Sequence, residues 1–149
     1  MNKMIRLLSV TAVVALVGCN ASYSTPSDVL AAAGQALKTN NLEAFQDSLQ
    51  PFSEAKTQYG TAEGFKLLQS KLAGVESIAV ENEELTSPAV LPTNAPGKET
   101  YSVDVIGLTG AKSSRVARSE VTCQVFYNYN GNSRTNDRKA FCRISKIEE

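Results

Sequence analysis

The chain has 149 residues, with 15 basic and 15 acidic side chains, three cysteines and no histidine. This length suits a single domain with one hydrophobic core. Acidic residues outnumber basic ones by only two after Cys19, a balance that argues against a nucleic-acid-binding protein. Since histidine is the usual general acid or base at neutral pH, its absence also argues against many classes of enzyme.

The N-terminal residues have the pattern of an export signal. Lys3 and Arg6 precede an apolar run over residues 7–17, and no acidic residue occurs before Asp28. The run is shorter than the ~20 apolar residues that a transmembrane helix needs. It has the length of the central region of a signal peptide, so we expect residues 1–18 to be removed.

The apolar run ends at Leu16-Val17-Gly18-Cys19, which resembles the lipobox of bacterial lipoproteins. The resemblance implies that the thiol of Cys19 receives a diacylglyceryl group, that the chain is cut before Cys19, and that the new amine is acylated. Two or three acyl chains make such an anchor stable. The alternatives are an ordinary secretory signal that contains a cysteine and a cytosolic chain with an apolar N-terminal helix.

The residue after Cys19 is Asn20. In Gram-negative lipoproteins an Asp at this position commonly retains the protein at the inner membrane. The resemblance therefore favours the outer membrane, facing the periplasm. Residues 19–25 are small and mostly polar, and they predict a flexible tether before a single domain over residues 26–149.

Helical periodicity and capping signals predict three helices in the first half of the chain. Thr25 is a suitable N-cap and Pro26 a suitable first helical residue. Gly74 is a suitable helix stop. The three helices are expected from Pro26 to Asn40, from Leu42 to Pro51 and from Thr61 to Gly74.

After Gly74 the apolar period changes from helical to alternating, which predicts strands. Prolines and a glycine mark a loop between the first two strands. The alternating residues are Ile78 and Val80, then Tyr101, Val103 and Val105, then Val116, and the loop is marked by Pro88, Pro92, Pro96 and Gly97. The order predicts an α+β fold in which N-terminal helices pack on a C-terminal antiparallel meander sheet.

The last two strands are predicted to form a hairpin closed by one disulfide. Residues 120–129 and 138–147 are strand-like, and Asn130-Gly131-Asn132-Ser133 between them favours a turn. A hairpin centred between Asn132 and Ser133 places Cys123 opposite Cys142. In an oxidising compartment these two cysteines are expected to pair. A metal site is disfavoured because histidine and a third free cysteine are lacking, and Cys-x-x-Cys redox spacing is absent.

Two segments carry a second resemblance: Pro26-Ser27-Asp28-Val29-Leu30, and residues 36–45 with the sequence Ala-Leu-Lys-Thr-Asn-Asn-Leu-Glu-Ala-Phe. They look like the opening of NTF2-like or cystatin-like lipoprotein domains, where such a helix leads through an Asn- or Gly-containing turn into a second one. The resemblance implies helices packed on a curved sheet, around a conical pocket in some members. Enzymatic members place Asp, His and Tyr in that pocket, and this chain has no His.

Asp104 on the second strand and Glu120 on the third are the carboxylates available for catalysis. Asp104 alternates with Val103 and Val105, so it should face away from them. A solvent-exposed strand residue is the simpler interpretation, and the catalytic Asp of an NTF2-like enzyme is the alternative.

The hairpin face opposite the cysteines carries the candidate contact residues. Phe126 and Phe141 lie there as a diagonal pair, and Tyr127 and Tyr129 are expected at an exposed edge near the loop. Polar residues that share the Phe face are Thr122, Gln124, Arg143 and Ser145. The face forms a pocket wall if the sheet is covered on both sides, a contact surface if it is open, or ordinary core if a helix packs on the Phe pair.

These patterns predict a non-enzymatic lipoprotein of the bacterial envelope, held to the membrane by lipid and without cofactor or metal. It is expected to bind a small apolar ligand or another envelope protein. The alternatives are a lipid-anchored inhibitor or immunity-type protein that uses the hairpin loop, and a minor NTF2-like enzyme that uses Asp104. A closed cavity favours the ligand, whereas a filled interior with an exposed loop favours a partner protein.

Overall fold

A computed structural model describes residues 22–89, 97–131 and 133–149. The predicted signal peptide, Cys19 and the loop prolines Pro92 and Pro96 lie outside the described residues. The elements, in chain order, are α1 (Pro26–Lys38), α2 (Leu42–Ser48), α3 (Glu54–Tyr59), α4 (Ala62–Lys71), β1 (Ser77–Ser87), β2 (Gly97–Thr109), β3 (Lys112–Asn130) and β4 (Ser133–Glu148). The α+β prediction is confirmed.

The helices begin where the sequence places capping side chains. The backbone N–H of Asp28 donates to Thr25 Oγ1 at 3.1 Å, and the N–H of Gly64 donates to Thr61 Oγ1 at 3.1 Å. These bonds satisfy backbone donors that a helix start leaves unpaired. The predicted starts of α1 and α4 are therefore confirmed.

The prediction of three helices was wrong by one, because it missed α3. Ser53 caps this helix, since its Oγ accepts from the N–H of Lys56 at 3.1 Å. Ala55 and Tyr59 are one turn apart and both are buried. The helix has only six residues, too few for a helical period to stand out from its surroundings.

The four strands form one antiparallel sheet in the order β1-β2-β3-β4. The helices cover one side of this sheet, where they share a core with alternate strand residues. This core contains Phe45, Leu49 and Phe65 from the helical layer, and Val103, Val121, Cys123, Val125, Cys142 and Ile144 from the sheet. The predicted meander, with helices on one side, is therefore confirmed.

The hairpin register predicted around the cysteines is also confirmed. Cys123 pairs with Cys142, and the neighbouring pair Val125 and Ala140 is likewise as expected. The turn was placed one residue too late. Asn130 pairs with Ser133, so the turn lies between these two residues, and an irregularity between Tyr127 and Tyr129 absorbs the difference. Gly131 takes a left-handed φ of 63°, which suits glycine in a tight hairpin turn.

The outer edge of β4 is covered by chain segments from the first half of the protein. Leu49 forms a parallel bridge with Ile144, and the N–H of Gln50 donates to the carbonyl of Ile144 at 2.8 Å. The N–H of Cys142 donates to the carbonyl of Tyr23 at 2.7 Å. These segments satisfy backbone groups that an edge strand otherwise leaves open.

Candidate binding surface

The disulfide lies on one side of the β3–β4 hairpin and distinguishes that side from the other. Cys123 and Cys142 are bonded to each other and lie on the helix-covered side, where both are buried. Because side chains alternate along a strand, the residues next to each cysteine in the chain have side chains on the opposite side. We call this opposite side of the hairpin the outer face, and it carries Thr122, Gln124, Phe126, Lys139, Phe141 and Arg143.

Phe126 and Phe141 form an aromatic pair on the outer face. Their ring centroids are 5.6 Å apart and their planes are nearly perpendicular, at 84°, a favoured edge-to-face arrangement. Phe126 is 39% exposed and Phe141 is 42% exposed. The helices occupy the other side of the sheet, so the alternative in which this pair packs under a helix as ordinary core was wrong.

A groove of about 390 Å³ runs beside this pair. Its lining residues are Gln50, Pro51, Thr122, Gln124, Phe141 and Arg143. The next residue along the chain, Phe52, is fully exposed and has a left-handed φ of 60°. A bulky side chain at positive φ is uncommon. Sequence reasoning missed Phe52, because its exposure follows from the path of the loop after α2 and not from a motif.

Arg143 connects the groove to the N-terminal segment. Its guanidinium lies 5.0 Å from the centroid of the Tyr23 ring, within the range of a cation–π contact. Burial raises the pKa of the Tyr23 phenol, although the charge of Arg143 acts against this shift. The segment predicted as tether therefore contains a residue that packs against β4.

Cations flank the aromatic pair. Lys139 is the cross-strand partner of Phe126. Lys98 of β2 pairs with Gln124, whose partner on β4 is Phe141. Both lysines are exposed. Beside the aromatic pair, the outer face therefore combines exposed rings with positive charge, whereas the exposed carboxylate of Glu120 lies farther along this face, near Ser145.

Tyr127 does not share the face that carries Phe126. It is half-buried and packs against the core on the side of the cysteines. The expectation of an exposed tyrosine edge is therefore wrong for Tyr127. Tyr129 pairs with Arg134 through the backbone, and its side chain lies outside the described part of the structure.

In the described part of the structure, a small apolar space lies between the helices and the sheet. Its volume is about 60 Å³, and Leu37, Phe45 and Ile144 are among the residues that line it. Drug-sized ligands occupy sites of ~300–1,000 Å³. This space is too small for them.

Asp104 faces away from Val103 and Val105, as predicted, but it is only 7% exposed. The expectation of a solvent-exposed strand carboxylate was wrong. Asn82 donates to Asp104 Oδ2 at 2.9 Å, and a guanidinium nitrogen of Arg118 lies 3.6 Å from Oδ1. Neighbouring strands supply these groups, so Asp104 belongs to a polar cluster on the sheet and not to a cavity beneath the helices.

A second buried carboxylate lies at the hairpin end of the sheet, on the cysteine side. Glu99 Oε2 accepts from the Tyr101 hydroxyl at 2.7 Å and from Arg138 Nη2 at 2.5 Å. Burial raises the pKa of Tyr101, and the hydrogen bond to Glu99 adds to this shift. No sequence pattern predicted this cluster, because Arg138 comes from β4 and approaches Glu99 and Tyr101 of β2 only in the folded sheet.

Among residues 22–89, 97–131 and 133–149, no helix is both long and apolar enough to span a membrane. Searches of known protein families, curated protein sequences and solved structures found nothing that matches the chain.

Proposed function

We propose that this chain is a lipid-anchored protein of the bacterial cell envelope that acts by binding, through the outer face of its hairpin, and not by catalysis. One observation carries the proposal. The outer face holds Phe126 and Phe141 partly in solvent beside a groove of about 390 Å³, while the interior space is only about 60 Å³. A binding surface on the outside of the fold accounts for both features.

The lipid anchor is supported by the sequence Leu16-Val17-Gly18-Cys19 and by the basic and apolar segments before it. Asn20 supports sorting to the outer membrane. We further propose that the domain is of the NTF2-like or cystatin-like type. The order of its elements and the small space between its helices and its sheet support this assignment.

The non-catalytic role is supported by the chemistry of the described carboxylates. Asp104 is enclosed by Asn82 and Arg118, and Glu99 is held by Tyr101 and Arg138. Asp104 Oδ2 and Glu99 Oε2 accept hydrogen bonds from neighbouring side chains, and the chain has no histidine to act beside them as a general base.

The anchor is tested by Cys19→Ala in cells fed a fatty-acid probe. The variant should lose the label and leave the membrane fraction or stay unprocessed. An unchanged label and unchanged fractionation would contradict the anchor. Asn20→Asp is the matched test of sorting, because it should keep the label but move the protein to the inner membrane.

The binding surface is tested by site-specific photocrosslinking in intact cells. Benzoylphenylalanine at Phe126 should give adducts, whereas the same residue at Leu67, an exposed position on α4, should give few. Leu67 is a suitable control because α4 lies on the other side of the sheet. Equal yields at the two positions would contradict a contact at the outer face.

A further inference from the structure

The N-terminal segment is fixed to the edge of the outer face. The carbonyl of Tyr23 accepts from the N–H of Cys142 at 2.7 Å, and the Tyr23 ring lies beneath the guanidinium of Arg143. Arg143 also lines the outer groove. The chain that leads back to Cys19 therefore leaves the domain next to the groove.

Only four residue steps separate Cys19 from Tyr23. An extended chain covers at most ~3.5 Å per residue, so four steps span roughly 14 Å at most. A lipid on Cys19 then holds the edge of β4 close to the membrane surface. The surface of the domain beside that edge is the outer face.

The side chains of the outer face suit a phospholipid surface. Aromatic residues favour the interfacial region of a bilayer, and lysine and arginine are attracted to anionic headgroups. Phe126 and Phe141 supply the aromatic part, and Lys98 and Lys139 supply charge next to them.

Phe52 extends this surface beyond the sheet. Its ring is fully exposed, and it directly follows Pro51, which lines the groove. Its left-handed backbone is a conformation that bulky residues rarely adopt. Backbone strain of this kind occurs often at functional contacts, and insertion into a membrane interface gives this ring a favourable environment.

From these observations we propose that the outer face docks on the membrane that carries the lipid anchor, with Phe52, Phe126 and Phe141 among anionic phospholipid headgroups. The inference rests on the lipid anchor proposed above and names the occupant of the same surface. Docking fixes the orientation of the domain, so that its helices face away from the membrane.

The chain contains no tryptophan, so a single introduced Trp reports on its own position. We would make Phe126→Trp, Phe52→Trp and, as the control, Leu67→Trp in the lipidated protein. Each variant is placed in vesicles of phosphatidylethanolamine and phosphatidylglycerol with brominated acyl chains, which quench nearby Trp. Trp at 126 and at 52 should be quenched several-fold more than Trp at 67. Replacing the anionic lipid with phosphatidylcholine, or raising the salt concentration, should reduce this difference.

Equal quenching at all three positions would overturn the inference. So would crosslinks at 126 in native envelope membranes together with no quenching at 126 in the brominated vesicles, because the occupant is then a membrane protein and not lipid. The two proposals fail in different ways. A protein that does not incorporate the fatty-acid label lacks the anchor. A labelled protein that forms adducts at 126 but shows no quenching by brominated lipid binds something other than lipid at its outer face.

Discussion

The backbone N–H of Cys142 donates a hydrogen bond to the carbonyl oxygen of Tyr23, 2.7 Å away. This bond joins the N-terminal segment to a disulfide cysteine, and it satisfies a donor at the outer edge of β4. The same segment places its aromatic ring beneath Arg143. The N-terminal segment is thus part of the folded domain from Tyr23 onward.

Replacing Tyr23 tests this attachment. Tyr23→Ala should lower the free energy of unfolding by about 1 kcal/mol, because it removes a cation–π contact and partly buried aromatic area. Tyr23→Phe keeps the ring and should stay within about 0.5 kcal/mol of the parent. Urea unfolding of the three proteins measures the difference. Equal losses in both variants would show that the ring contact does not stabilise the fold.

Amide hydrogen exchange tests the backbone bond itself. Cys142 should exchange slowly although β4 is the last strand of the sheet. Shortening the chain so that it begins at Ser24 should speed exchange at Cys142. The amide of Val103, in the interior strand β2, is the control and should keep its protection. No change at Cys142 would mean that another group protects this amide.

Substitutions of Phe126 and Phe45 compare the role of an exposed phenylalanine with that of a buried one. Phe45 is almost fully buried and contacts Phe65, with ring centroids 5.4 Å apart. Phe45→Ala should cost ~3–5 kcal/mol, as large-to-small core substitutions do. Phe126→Ser should change the melting temperature little while it reduces crosslinking or membrane docking. A strongly destabilised Phe126→Ser protein would show that the hairpin is scaffold only.

The disulfide should contribute chiefly to stability. Cys123 and Cys142 are separated by 19 positions, and closing a loop of this size should stabilise the fold by ~3 kcal/mol in the chain-entropy model. Replacing both cysteines by Ala should remove a stabilisation of that order and leave membrane attachment intact. In the parent, stoichiometric alkylation of both thiols under denaturing, non-reducing conditions would contradict the bond.

Local patterns predicted the parts of the fold that depend on neighbours in sequence. The cap at Thr25, the helix start near Thr61 and the pairing of Cys123 with Cys142 follow from spacing and alternation within short segments. The turn position was misplaced because the irregularity between Tyr127 and Tyr129 shifts the register without changing the apolar alternation at the cysteines.

The candidate surface was predicted only in part, because the rest of it depends on contacts between residues that are distant in the sequence. Alternation placed Phe126 and Phe141 on one face, but whether a helix covered that face depended on the packing of distant elements. The burial of Asp104 depends on Asn82, which takes a left-handed φ of 52° in β1. The docking of Tyr23 depends on β4, more than a hundred residues later. Contacts of this kind leave no local pattern.

The Glu99–Tyr101–Arg138 cluster predicts a loss of stability at alkaline pH. Burial raises the pKa of Tyr101, and the hydrogen bond to Glu99 raises it further. The phenol of an unfolded chain ionises near pH 10. Because the folded pKa is higher, the stabilisation is complete below about pH 10 and is lost as the pH rises through the folded pKa.

Urea unfolding at a series of pH values around and above about 10 measures this effect. The free energy of unfolding of the parent should fall with rising pH, and Tyr101→Phe should reduce the slope. Part of the slope should persist in the variant, because burial also raises the pKa of Tyr23 and of Tyr59. At neutral pH the variant should be less stable by about 1 kcal/mol, since it loses the hydrogen bond to Glu99. If the two proteins lose stability in parallel across the alkaline range, the Tyr101 phenol is not coupled to folding, and the cluster contributes through the contact between Glu99 and Arg138 alone.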